Sequence, residues 1–107
     1  MREAQRECET GLRLDPATAG RRIARLEARG GVRDAQAKLD ADPALAAAVR
    51  ETHARYAEER DAALPAEARY RPSGGVGGSS GSVKCLHAHY ADFAAGNDNP
   101  VGRDVAA

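Results

Sequence analysis

Apolar positions along this chain recur at helical spacing, and nowhere do they alternate as a half-buried strand requires. Ala19, Ile23 and Leu26 fall at i, i+4 and i+7, while Arg21, Arg22, Arg25 and Arg29 take the remaining faces. Asp15-Pro16 stands before them, a capping acceptor followed by the residue that loses nothing at the first helical position. Gly30-Gly31 stands after them as a stop. The pattern predicts a helix starting at about Asp15. Val32, Ala35 and Leu39 predict a short second helix near residues 33–40, with Asp34 in its first turn, where the dipole favours an acid. Asp42-Pro43 repeats the start signal. Leu45, Val49, Thr52 or His53, Tyr56, Arg60 and Ala63 then carry the longest helix over residues 43–64, about 33 Å at about 1.5 Å per residue.

Pro65 ends that helix, and the chain turns to Pro, Gly and Ser as far as Ser82. Residues 74–82 have the composition of a slack connector. Their position leaves a structured loop open beside that reading, because they end where a helix begins rather than joining two domains. Over residues 83–95, Val83, Leu86, Tyr90, Phe93 and Ala94 share one face, the expected core stripe, and His87 borders it. Cys85, His89 and Asp92 line up on the other side. Gly96 is the expected stop, and Asn97-Asp98-Asn99-Pro100 is turn chemistry. The result is an all-α fold with a long central helix, a Gly-rich loop and a short C-terminal helix packed back on the long one. Residues 15–103 form the single domain, residues 1–14 a charged, frayed lead-in containing Cys8, and residues 104–107 a loosely held tail.

Composition limits the partners. Across 107 residues, Leu, Val, Ile and Phe number only 15, below the level of about 20 % at which a folded core is usually secure. The expected domain is therefore marginal and helped by self-association. Sixteen basic residues balance 16 acidic ones at a pI of 6.8. That argues against nucleic acid or an anionic membrane as partner, since both reward a basic excess. Two cysteines, no export-type apolar run and no apolar stretch of membrane length point to a cytoplasmic protein with reduced thiols.

The chemistry gathers at the loop and the helix after it. A helix N-terminus offers unpaired amides and a positive dipole end, and glycines before it let the main chain approach an anion. Gly77 and Gly78, with Ser82 as the expected cap and Lys84 in the expected first turn, would hold a phosphate- or carboxylate-bearing ligand. His87, His89 and Asn97 would orient it. The spacing matches neither a Gly-Lys-Ser/Thr phosphate loop nor a Gly-x-Gly-x-x-Gly turn after a strand. Two alternatives stand beside this reading. Cys85, His89 and Asp92, at i, i+4 and i+7, offer donors for a soft divalent metal, though fewer than the four of a structural zinc site. Otherwise the Ala-rich helix faces bind a protein partner or a second copy, with no ligand at all. The sequence names no cofactor and no reaction.

Gly-Val-Gly-Gly, Val-Lys-Cys-Leu-His-Ala-His-Tyr-Ala and Gly-Asn-Asp-Asn-Pro-Val-Gly together resemble the signature of a small bacterial family, domain of unknown function 501. Arg25-Leu26-Glu27-Ala28, Gly30-Gly31-Val32 and the stretch from Asp42-Pro43 to Leu64-Pro65 are similar to its middle portion, so the resemblance covers roughly residues 15–103. Family members usually carry more sequence upstream, with further cysteines, which implies a shortened start here. Their genes often neighbour those of an exopolyphosphatase-like enzyme and a septum-formation protein. That setting implies contact with phosphorylated ligands and assigns no activity.

Overall fold

In the computed structural model, residues 14–107 are described, and they hold five α-helices, one 3-10 turn and no strand. The helices are α1 (Pro16–Ala28), α2 (Gly31–Ala41), α3 (Pro43–Ala63), α4 (Leu86–Ala94) and α5 (Pro100–Ala106), with the 3-10 turn at Val76–Gly78. Cys8 and the expected lead-in lie outside the described residues, Leu14 apart.

The start signals act as their chemistry requires. Asp15 accepts the amide of Thr18 at 2.9 Å and its hydroxyl at 2.7 Å, and these bonds hold the Asp15 carboxyl below its ordinary pKa. Asp42 ends α2 and caps α3, taking the amides of Ala44 and Leu45 at 3.0 and 3.2 Å. Between α1 and α2 the chain turns at Gly30 with φ 83°, a conformation that glycine alone adopts at little cost. Ala19 and Ile23 of α1, Leu39 of α2 and Val49 of α3 then meet Leu86, Tyr90 and Phe93 of α4 in one apolar cluster.

The long helix carries an unusual inner face. Of the residues α3 buries, Val49 is apolar while Thr52 and His53 are polar, and buried polar groups need partners. The Gly-rich loop supplies them. Nδ1 of His53 accepts the amide of Val76 at 3.0 Å, and Nε2 donates to the carbonyl of Ser82 at 2.9 Å. Arg60 donates to the carbonyl of Gly74 at 2.7 Å, and Val76 is fully buried. A β-carbon on Gly75 would lie 2.6 Å from Cα of His53, so the main chain itself rests on the histidine. The loop is packed across α3 rather than slack.

Beyond the loop, the structure corrects two expectations. Ser82 caps no helix and Lys84 lies in no first turn, because residues 83–85 are in no helix, Cys85 is extended and α4 begins at Leu86. The amide of Ser82 goes to Oγ of Ser79 at 3.0 Å, and the amide of Val83 to the Gln36 side chain at 2.9 Å, while the Val83 side chain is buried. These bonds tie down the approach to α4. The expected loose tail is also replaced, by α5. Asn99 caps it by accepting the amide of Gly102 at 2.9 Å, Pro100 starts it, and Val101, Val105 and Ala106 are buried. It is the Asp-Pro start signal again with Asn in place of Asp.

α4 packs most extensively against α5 and reaches α3 through side chains, the rings of His53 and His89 at 5.5 Å and the pair Arg55 and Asp92 at 2.5 Å. Its burial on two sides explains why His89 and Asp92, expected on an outer face, are 0 % and 6 % exposed. Among the described residues, no helix is long and apolar enough to cross a membrane.

Candidate functional site

The start of α4 meets the end of α1. Glu27 stands one turn after the core residue Ile23, and its carboxylate reaches α4 with both oxygens. Oε2 accepts the amide of Leu86 at 3.1 Å, and Oε1 lies 3.1 Å from Nδ1 of His87. A protein carboxylate therefore occupies the positive end of α4, the place where sequence reasoning seats an anionic ligand. Cys85 is the N-cap residue, yet its side chain caps nothing, and its thiol is free and half-buried. The donor atoms of Glu27, Cys85 and His87 all lie within 4.8 Å of one another. His87 is not at the core edge as expected: its side chain is 52 % exposed.

The rim of this cluster is built by the loop and by α2. Gly77 and Gly78, with φ 64° and 80°, are exposed, and a β-carbon on Gly77 would touch that of Cys85 at 3.4 Å. Lys84, one residue before Cys85, is exposed and makes no ion pair among the described residues. An open cleft lined by Glu27, Gly30, Arg33, Gln36 and Val83 adjoins the other side.

The remaining predicted site residues turn inward. Asp92 accepts from Asn97 at 3.0 Å and Asn99 at 3.1 Å, and Asn99 Oδ1 takes the Nδ1 proton of His89 at 3.2 Å. That bond fixes the His89 tautomer and leaves Nε2 as a buried acceptor with no partner among the described residues. The structure thus divides the expected metal trio, placing Cys85 on the rim with His87, and His89 and Asp92 in the interior. Ser82 belongs to the loop closure on His53. Gly77, Gly78, Lys84 and His87 are the predicted ligand residues that are exposed at the surface.

Burial, reinforced by the neighbouring His53 ring, holds His89 below its ordinary pKa of 6.5, while the Asn99 bond and Asp92 oppose the shift. The native ring is then neutral at a pH where the unfolded chain is already protonated, so stability is present above about pH 6.5 and is lost as pH falls toward the depressed native value. In chelator-treated protein, the unfolding free energy is expected to decline below about pH 6.5 at up to about 1.4 kcal/mol per pH unit from this group. His89→Gln should flatten that limb. An unchanged slope in the variant would show that His89 is not its source.

Glu27, and the part His53 plays in clamping the loop, escape the sequence reading because each acts across the fold. A faint signal exists for Glu27: an acid in the last turn of a helix opposes the dipole there, so its placement asks for a use elsewhere. For His53, the sign is a histidine and a threonine side by side on the inner stripe of the longest helix.

Comparison with known proteins then adds one positive result. A family described as Protein of unknown function (DUF501) matches residues 2–107, a longer span than the resemblance read from the motifs. No curated protein and no solved structure matches the chain.

Proposed function

The chain belongs to the DUF501 family, and from that premise we propose that it is a small cytoplasmic binding protein. Its ligand is anionic, carrying phosphate or carboxylate, and it docks where the Gly-rich loop meets the start of α4. The observation that carries this reading is the lip of Gly77 and Gly78, two exposed glycines at positive φ, the first of them held against Cys85, which follows directly on an exposed lysine with no ion pair among the described residues. The His53 clamp supports it, since a pre-formed lip spends no ordering entropy on binding. Because Glu27 already takes the Leu86 amide, the anion belongs on the Lys84 side of the rim rather than on the helix axis.

Thermal melting against phosphate, pyrophosphate, polyphosphate, nucleotides and citrate tests it, in metal-free and zinc-loaded protein. At least one ligand is expected to raise Tm, and Lys84→Ala to shrink the rise several-fold. Folded protein that responds to none of them in either state ends this reading. A second reading, a helical module that binds a protein partner or a second copy, draws on Tyr70, a large side chain left 78 % exposed. In that case Lys84→Ala changes nothing, while Tyr70→Ser weakens a dimer or complex seen by light scattering.

A further inference from the structure

Glu27 from α1 and Cys85 and His87 from the start of α4 bring a carboxylate, a thiol and an imidazole to one rim, and we propose that together they bind a borderline-soft divalent cation, zinc above all, in a three-ligand site. The donor types decide the ion. Calcium and magnesium take oxygen ligands, whereas sulfur, nitrogen and a single carboxylate are the set zinc accepts. Zinc bonds of about 2.0–2.3 Å in a tetrahedron set donor atoms about 3.3–3.7 Å apart. The present donors lie within 4.8 Å, so closure on an ion asks for inward movement of about 1 Å. His87, 52 % exposed, and Glu27, 30 % exposed, have room to make it by side-chain rotation.

The surroundings already hold the ligands in position. The Leu86 amide fixes Oε2 of Glu27 and leaves Oε1 beside His87, the orienting contact that metal-bound carboxylates use. Cys85 is extended at the N-cap with no cap bond of its own, so its sulfur is uncommitted. On binding, the Cys85 thiol gives its proton to solvent, and the His87 ring keeps its proton on whichever nitrogen the ion leaves free. Thiolate and carboxylate then balance the ion's two positive charges. Three protein ligands leave a tetrahedral position open, as in catalytic rather than structural zinc sites. That position lies at the same rim as the proposed anion. The inference rests on the anion reading only for what fills the open position, and the site itself stands without it.

Cobalt(II) is the probe, because a cobalt–thiolate bond produces a charge-transfer absorption that no histidine or carboxylate gives. Full-length protein stripped of metal is expected to bind one ion with that band. Cys85→Ser should abolish the band, and His87→Ala and Glu27→Gln should weaken zinc affinity roughly 10–100-fold in chelator competition. Zinc should also protect Cys85 from alkylation. Circular dichroism checks each variant, and the rim position of all three residues predicts unchanged helicity. A missing band in folded protein, or a band that survives Cys85→Ser, overturns the site. A band without any phosphate response sinks only the anion reading, and a phosphate response without a band sinks only the metal.

Discussion

Asp92→Asn is expected to cost about 3 kcal/mol, near the lower end of the range for breaking a buried ion pair. The Asp92 side chain is 3 % exposed and serves as the acceptor at the centre of the polar interior. Arg55 donates to it through Nη1 at 3.3 Å and Nη2 at 2.5 Å, Asn97 at 3.0 Å and Asn99 at 3.1 Å. An amide keeps the volume but removes the charge, and it offers two hydrogens to a site furnished only with donors. Arg55 would then lose its buried counterion, and it is because the arginine is itself 29 % exposed that the lower figure applies. Chemical denaturation of both proteins checks it. Asp104→Asn is the control, since its pair with Lys38 joins side chains 62 % and 60 % exposed and should contribute less than about 1 kcal/mol. If both substitutions cost the same small amount, the buried network contributes little.

That network answers a question the composition raises. A chain with so few large apolar residues still closes a core, because its short Asn-Asp-Asn-Pro turn makes bonds on both sides. Asn97 and Asn99 satisfy Asp92, while Asn99 also caps α5 and fixes His89. The turn therefore joins α3, α4 and α5 by directional bonds where apolar area is scarce. Polar groups of this kind raise specificity more surely than stability, since each is costly if left alone.

How much of the molecule is legible in its sequence depends on the range of the interactions. The all-α class, the two Asp-Pro starts and the long helix rest on local pattern and capping, and the coordinates agree with them. The start of α4 does not, because the Val83 amide is taken by Gln36, 47 residues away in sequence, instead of opening the helix. Glu27 on Leu86 spans 59 residues and His53 on Ser82 spans 29. No spacing rule reaches that far. The candidate site is legible as a neighbourhood, the loop and the Lys-Cys-Leu-His block, but not as a set of partners. The face of α4 carrying His89 and Asp92 reads as polar and outward, since nothing local announces that α5 will cover it.

Gly102 decides how closely α5 can cover that face, and Gly102→Ala is expected to destabilise the protein by about 2–3 kcal/mol, within the range for overpacking. Helix propensity alone predicts the opposite sign, because alanine exceeds glycine by up to about 1 kcal/mol inside a helix. Backbone strain is not the cause either, since Gly102 is not among the positive-φ glycines. The cause is contact: a β-carbon there would lie 2.6 Å from Cβ of Phe93 and closer still to the carbonyl oxygen of His89. A main-chain atom in the middle of α4 cannot rotate away. The helices must separate, loosening Val101 and Val105 against the core and pulling the Asn99 cap from His89. Gly20→Ala in α1 supplies the matched comparison, because nothing lies within 4 Å of its β-carbon position. That variant should gain about 0.5–1 kcal/mol from propensity. Melting the two variants side by side separates close packing from helix preference, and a Gly102→Ala protein as stable as Gly20→Ala would mean that α5 does not lie on α4 as closely as described.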